Sequence, residues 1–172
     1  NRLGWLSLPE SMKKNCGEID AFANQVIGEG FTYAVVMGMG GSSMCPEVCR
    51  ETFGIKEGFL KLYILDSTDV STINSIKDSI DIDKTLFIVS SKSGGTIEVD
   101  SFMRYFFNKV KERKGSEAGN QFIAITDPQM LKNIPWLKDA KAGRGARVIL
   151  PPRQNELIAQ KDIVFSVARV LV

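Results

Sequence analysis

Histidine is absent from all 172 residues of the chain, and cysteine, tryptophan and long apolar runs are scarce. Because histidine is the side chain that titrates nearest neutral pH, proton transfer here must use aspartate, glutamate, lysine or cysteine, or a group from another segment. No apolar run approaches the roughly 18 residues of a transmembrane helix, and no signal-peptide pattern opens the chain. The sequence therefore predicts neither histidine catalysis nor a membrane partner.

Cysteine occurs three times, an odd number that argues against a disulfide framework and favours a reducing cytoplasm. Cys45 and Cys49 lie four residues apart on a predicted helix. With no histidine, a metal site there would need carboxylates or Cys16 to complete it. Small buried core residues are the better interpretation, and we expect neither a metal nor another cofactor.

Charge is nearly balanced, with 22 basic and 20 acidic residues. A net charge of +2 gives no general case for binding nucleic acid or a membrane surface. The basic stretch over residues 141–153 is better interpreted as a solvated loop than as a nucleic-acid patch. The length and the ordinary hydrophobic fraction of 44% predict that residues 1–172 form one domain with a real core.

Apolar runs alternate with segments of helical periodicity along the chain. The predicted strands cover residues 33–37, 60–65, 85–89, 121–126 and 147–150. The predicted helices cover an opening amphipathic segment and residues 43–53, 70–79 and 97–111, with a last apolar segment over 157–172. Near-continuous apolar strands indicate a sheet covered on both faces. The pattern predicts an α/β fold, a doubly wound three-layer sandwich with a parallel sheet of about five strands.

Two Gly/Ser segments follow the first and third of these strands, at residues 38–43 (GMGGSS) and 90–96 (SSKSGGT). A strand that ends in glycine and serine before a helix offers backbone N–H groups, hydroxyls and a helix N-terminus to an anion. Neither segment fits a nucleotide motif, since Ser43 stands where the dinucleotide fingerprint needs glycine and no P-loop pattern occurs. The candidate phosphate ligands are Gly40, Gly41, Ser42, Ser91, Lys92, Ser93 and Thr96.

Simpler interpretations exist for each of these segments. The first could be a tight turn with serine caps, and Lys92 could be solvated. Thr96 stands where a helix begins, so we expect its side-chain oxygen to cap the first turn. Glu98 lies in that turn and favours the helix dipole, so we expect it to support the loop without contacting substrate and without acting as a base.

With their flanks, these two segments resemble the signatures of the sugar isomerase (SIS) domain, and within that superfamily the glucose-6-phosphate isomerase family. Further similar segments are residues 2–6 (RLGWL), 46–48 (PEV), 52–54 (TFG), 66–69 (DSTD) and 124–128 (AITDP). The resemblance covers about residues 1–132 and is closest to the bacterial branch in which the isomerase is fused behind a transaldolase. It implies a parallel five-stranded sheet flanked by helices.

The resemblance implies that the candidate residues bind the phosphate of a sugar phosphate, without a cofactor. Gly95 departs from the family, which often has threonine there, so one hydroxyl is lost. Isomerases of this type also use a second SIS subdomain with a Gly-Gly-Arg segment, a carboxylate base and usually a histidine. No Gly-Gly-Arg occurs in this chain, so its catalytic residues stay unassigned. We expect a fragment of a longer two-subdomain enzyme, a possible homodimer, with residues 133–172 poorly matched.

Three functions remain open at this point. The first is the sugar-phosphate-binding domain of an enzyme that interconverts glucose 6-phosphate and fructose 6-phosphate. The second is a non-catalytic sugar-phosphate sensor, although no helix-turn-helix pattern with basic flanks accompanies the domain. The third is a SIS isomerase for another sugar phosphate, which the phosphate loops alone do not distinguish.

Overall fold

A computed structural model of the chain describes residues 8–126 and 147–149, and within them it forms an alternating α/β fold. The four helices are α1 (Leu8–Gly28), α2 (Gly41–Phe53), α3 (Val70–Ser79) and α4 (Ile97–Lys114). The five strands are β1 (Tyr33–Met37), β2 (Lys61–Leu65), β3 (Thr85–Ser90), β4 (Phe122–Ile125) and β5 (Arg147–Ile149). Two short 3₁₀ helices, Ile82–Lys84 and Gly115–Gln121, precede β3 and β4.

The five strands form one parallel sheet in the order β2-β1-β3-β4-β5. This order reverses direction between β1 and β3, because the chain leaves β1 for the edge strand β2 and returns on the other side. Such a reversal is the switch point of a doubly wound sheet, where ligands bind outside the carboxyl ends of the strands. The predicted fold class is confirmed.

Apolar side chains cover both faces of the sheet. One face packs against α3 and α4 through a cluster that includes Val35, Phe87, Val89 and Phe122 with Phe102 and Phe106. The other face packs against α1 through a cluster that includes Ala34, Val36, Ile88 and Ile123 with Ala23 and Val26. Successive strand residues point to opposite faces, so burial on both sides requires the nearly continuous apolar runs of the sequence.

All five predicted strands are present, each within one residue of its expected bounds at either end. Predicted helix α3 is also confirmed, and Asp69 caps it by accepting a hydrogen bond from the Thr72 N–H at 3.0 Å. Helix α2 begins at Gly41, two residues before the predicted start. The predicted apolar segment 157–172 lies outside the described residues. None of the helices within 8–126 has the length and apolar content to cross a bilayer.

The aromatic stripe of α4 gives a test of the core. Phe106 is fully buried and stacks obliquely on Phe87, with ring centroids 5.0 Å apart. We expect Phe106→Ala to lower the free energy of unfolding by about 3–5 kcal/mol, because it leaves a cavity between α4 and the sheet. The matched control is Phe53→Ala, since Phe53 is 75% exposed. Urea denaturation should show a change within about 0.5 kcal/mol for the control, and equal losses in both variants would contradict this packing.

The Asp69 cap gives a pH prediction. A hydrogen bond from the Ser71 hydroxyl, and then one from the Thr72 N–H, lower the pKa of the Asp69 carboxyl below its ordinary 3.8. A lowered pKa in the folded state means that the carboxylate stabilises the fold above pH 3.8, and that this stabilisation is lost as the pH falls through the folded pKa. Asparagine caps a helix equally well but does not titrate.

We therefore expect the melting temperature of Asp69→Asn to fall less than that of the wild type between about pH 6 and about pH 2.5. The effect is small, because the carboxylate is exposed to solvent. Asp20→Asn, in the exposed middle of α1, is the control and should follow the wild type. Identical acid profiles for all three proteins would show that the cap does not contribute.

Candidate functional site

The two Gly/Ser segments lie side by side at the carboxyl edge of the sheet. Strands β1 and β3 are neighbours, and their register pairs Met37 with Val89, the residues just before each segment turns away. We call residues 38–43 the first loop and residues 90–96 the second loop. Their adjacency follows from the β1–β3 pairing and places both of them at the switch point of the sheet.

The first loop is packed tightly and uses most of its polar groups internally. A Cβ atom on Gly38 would lie 2.8 Å from the Ser42 Cβ, so only glycine fits there. The Ser43 N–H and hydroxyl both donate to the Gly40 carbonyl, at 3.1 and 3.0 Å. Ser42 and Ser43 are fully buried. The hydroxyls of this loop thus face the protein rather than solvent.

The second loop is more open. Gly94 has φ +64°, a left-handed conformation that favours glycine, and its N–H donates to the Ser91 carbonyl at 3.3 Å. The Gly95 N–H donates to the Ser93 hydroxyl, also at 3.3 Å. The Ser91 hydroxyl donates to the Thr96 hydroxyl at 3.3 Å, across the mouth of the loop. These bonds fold the loop into a compact turn directly before α4.

Several backbone N–H groups of the second loop remain available to a ligand. Within the described residues, no acceptor is found for the N–H groups of Ser93, Thr96, Ile97, Glu98 and Val99. The first bond of α4 is donated by the Asp100 N–H to the Thr96 carbonyl, at 3.0 Å. The N-terminus of α4 therefore presents unpaired donors together with the positive end of the helix dipole, which is the arrangement that binds anions.

A shallow pocket, open to solvent, lies beside this loop. It is lined by Val89, Ser91, Gly94, Thr96, Val99, Asp100, Ala124, Ile125 and Thr126. Of the predicted ligands it brings together Ser91 and Thr96. The other five predicted ligands do not line it: Gly40, Gly41, Ser42, Lys92 and Ser93. The pocket therefore lies between the second loop, α4 and the end of β4.

Four charged side chains, Lys92, Glu98, Asp100 and Arg104, lie in or near the first turn of α4. Asp100 lines the pocket, and its carboxylate accepts a hydrogen bond from the Arg104 guanidinium at 2.6 Å, one helical turn away. Arg104 thereby offsets a negative charge that would oppose an anion. Lys92 is half-buried in the loop and adds a positive charge on a flexible stem. Glu98 and Asp100 balance the positive charges of Lys92 and Arg104, so attraction for an anion here comes from the backbone N–H groups and the helix dipole.

Comparison with known proteins identifies the family to which the chain belongs. The sequence model of the family described as phosphoglucose isomerase matches residues 7–134 of the chain, a span that includes both loops and the first four strands. The chain belongs to the phosphoglucose isomerase family. The resemblance inferred from the loop motifs is therefore confirmed.

Individual relatives agree with this family. A glucose-6-phosphate isomerase of Borreliella afzelii is 35% identical over 104 residues, which cover 58% of this chain and 20% of that protein. One from Carboxydothermus hydrogenoformans is 31% identical over 136 residues, covering 74% of this chain and 29% of that protein. The chain thus spans less than a third of the length of these curated relatives.

Two solved structures share the fold. A hypothetical protein from Thermus thermophilus superposes with a TM-score of 0.79 at 22% identity, covering 99% of this chain and 39% of that one. A glucose-6-phosphate isomerase from Chlamydia trachomatis superposes with a TM-score of 0.69 at 20% identity, covering 96% of this chain and 29% of that one. At these identities the likeness concerns the fold alone.

Thr96 differs from its prediction. It occupies the N-cap position of α4, but its side chain makes no capping hydrogen bond. Its hydroxyl oxygen instead accepts a hydrogen bond from the Ser91 hydroxyl. Without a side-chain cap, the first N–H groups of α4 are left for another acceptor. Glu98 lies in the first turn of α4, as expected, and does not line the pocket.

The cysteines contribute no site among the described residues. Cys49 is buried, as predicted, whereas Cys45 is only half-buried. Burial, and then the neighbouring Cys49, raise the pKa of the Cys45 thiol to about 11, so it is protonated at neutral pH and a poor nucleophile. No group of three potential metal-ligating side chains occurs in residues 8–126 and 147–149.

Asp100 and Thr126 line the pocket although neither was a predicted site residue. Asp100 falls on the polar side of α4, where the periodicity suggests only solvent. Thr126 follows β4; in the sequence it ends the predicted strand 121–126 and belongs to the AITDP segment of the family resemblance. Its position at the carboxyl end of a strand was the available signal, because that is the edge where ligands bind in this fold class.

The close packing of the first loop can be tested with two glycines. We expect Gly38→Ala to lower the free energy of unfolding by about 1–3 kcal/mol, because the new methyl group meets the Ser42 backbone and Cβ at 2.8–3.1 Å. Gly41→Ala is the matched control, since a Cβ there meets no atom within 4 Å. Chemical denaturation should show that Gly41→Ala leaves the free energy of unfolding unchanged or raises it slightly. A Gly38→Ala variant as stable as Gly41→Ala would contradict the packing.

Proposed function

We propose that this chain binds the phosphate group of a sugar phosphate at the second loop and the N-terminus of α4. The observation that carries the proposal is the set of unpaired N–H groups at this N-terminus, from Ser93 and from Thr96 to Val99, within the part of the chain that the structure describes. Membership of the phosphoglucose isomerase family supports a sugar phosphate over other anions.

The side chains of the loop add to this donor set. Ser91, Ser93 and Thr96 supply three hydroxyls, and a phosphate arriving at the loop would replace the Ser91–Thr96 hydrogen bond of 3.3 Å with bonds to its own oxygens. Lys92 supplies a charge-assisted contact, which is stronger than a neutral hydrogen bond. No loss of core contacts is needed, because Ser93 is exposed and Thr96 half-buried.

The first loop has a supporting role in this proposal. Gly40 and Gly41 are exposed, and their backbone can approach a ligand held on the neighbouring second loop. Ser42 is fully buried against Gly38, so a direct contact between its hydroxyl and the phosphate stays a prediction that requires the loop to move.

For the whole protein we propose aldose–ketose isomerisation of glucose 6-phosphate and fructose 6-phosphate, a reaction of cytoplasmic glycolysis and gluconeogenesis. The relatives that carry this activity in their names are much longer than the matched segment, which covers only 20% of one and 29% of the other. The phosphate anchor would orient the carbonyl end of the sugar toward a base. In this proposal a second SIS subdomain of the same enzyme completes the site, the base is unassigned, and the whole protein is a homodimer.

Lys92 allows a direct test of phosphate binding. We expect the chain to bind glucose 6-phosphate and inorganic phosphate, but not glucose, in isothermal titration calorimetry. Lys92→Gln should lower the affinity for glucose 6-phosphate and for inorganic phosphate on the order of tenfold, since it removes one charge-assisted hydrogen bond. Lys111→Gln is the matched control, because Lys111 is exposed near the opposite end of α4, and it should bind like the wild type.

Nuclear magnetic resonance locates the site independently. Titration with glucose 6-phosphate should shift the amide signals of Ser93, Thr96 and Ile97 most strongly. Binding of glucose as tight as that of glucose 6-phosphate would contradict a phosphate anchor. Shifts confined to another edge of the sheet would contradict this site.

A further inference from the structure

The end of β4 holds the second loop through two hydrogen bonds. The Ser91 N–H donates to the Ile125 carbonyl at 3.0 Å, which extends the β3–β4 ladder by one residue. The Thr126 hydroxyl then donates to the Lys92 carbonyl at 3.3 Å. Thr126 is only 3% exposed, so its hydroxyl is held in place by the surrounding protein. The loop is therefore attached to β4 as well as to its own strand.

The bond to the Lys92 carbonyl fixes the orientation of a whole peptide group. The peptide between Lys92 and Ser93 is planar and trans, because no cis peptide occurs in the described residues. In a trans peptide the C=O and the N–H point in opposite directions. When Thr126 holds the Lys92 carbonyl toward β4, the Ser93 N–H must point away from β4 and from the pocket that β4 lines. In the strand order this is the side of β3 on which β1 and the first loop lie, so a phosphate that this N–H binds is held between the two loops.

The Ser93 N–H is one of the donors without an acceptor among the described residues. Without a bond to its carbonyl, the Lys92–Ser93 peptide could rotate and turn this donor elsewhere, as peptides in glycine-rich turns do. Gly94 and Gly95 follow directly and give little resistance to such a rotation. The hydroxyl of Thr126 removes this freedom.

We infer that Thr126 is a positioning residue of the anion site: its hydroxyl holds the Lys92 carbonyl so that the Ser93 N–H is preorganised toward the phosphate. This inference rests on the proposed function for its ligand. Its structural part, that Thr126 orders the second loop, does not depend on any ligand and can be tested in the ligand-free protein. Preorganised donors bind an anion more tightly because less ordering is required on binding.

Thr85 provides a matched comparison elsewhere in the fold. It is fully buried, and its hydroxyl donates to the Asp81 carbonyl at 2.6 Å, a side-chain to backbone bond of the same kind. Thr85 begins β3, at the edge opposite the second loop. Thr85→Val thus removes an equivalent buried hydroxyl without touching the site, and it separates a general loss of stability from a specific effect on the loop.

The experiment compares Thr126→Val, Thr126→Ser and Thr85→Val in the full chain. In the ligand-free protein, ¹⁵N relaxation should show the order parameters of Ser93 and Gly94 falling from about 0.85 toward about 0.6 in Thr126→Val. Thr126→Ser keeps the hydroxyl and should retain the wild-type values. Thr85→Val should leave these amides unchanged even where it lowers the melting temperature.

Affinity for inorganic phosphate and for glucose 6-phosphate is then measured on the same samples. We expect Thr126→Val to lower both affinities by about fivefold. The affinities of Thr126→Ser and Thr85→Val should stay within about twofold of the wild-type values. Unchanged order parameters and affinity in Thr126→Val would overturn the inference and leave the proposed function standing. Increased loop mobility in a protein that binds neither ligand would support the positioning role and overturn the proposed function. If Thr126→Val and Thr85→Val change the loop order parameters and the affinities equally, Thr126 has no specific positioning role and the inference is wrong.

Discussion

The site depends on the parallel pairing of β1 with β3, two strands that are separated along the chain by α2, β2 and α3. Their register places Met37 beside Val89, so the backbone leaves the sheet at the same height in both strands. Everything that follows each strand, including the two loops and the N-termini of α2 and α4, is therefore brought to one edge. Only burial of both sheet faces makes this arrangement stable, and the two apolar clusters provide it.

The two loops both connect a strand to a helix, but their hydrogen bonds differ. In the first, close contact of Gly38 with Ser42 lets the helix begin early, and the N–H groups of Ser42 and Ser43 bond back to Met39 and Gly40. In the second, Thr96 makes no capping hydrogen bond, and its hydroxyl oxygen accepts a bond from Ser91. The first N–H groups of α4 therefore stay without an acceptor. The binding capacity of the edge is thus concentrated on the second loop.

Much of the fold could be predicted because its determinants are local. Short, nearly continuous apolar runs such as Tyr33–Met37, bounded by glycine, are typical of strands covered on both faces, and Asp69 indicates the start of α3 through its capping chemistry. The two loops could also be identified from their Gly/Ser sequences alone. The partners of the individual hydroxyls could not be predicted. Ser91 meets Thr96, and Thr126 meets Lys92, only because the folded backbone brings them together.

The sequence by itself determined the fold class, the family and the two loops at which a phosphate is expected, because periodicity, turn chemistry and motif letters are properties of neighbouring residues. The tertiary structure alone decided that Ser42 is buried, that Asp100 and Thr126 line the pocket, and that β4 holds the second loop. Those outcomes depend on distances between strands that are far apart in the chain. Such distances are fixed by packing and register, and no local pattern encodes them.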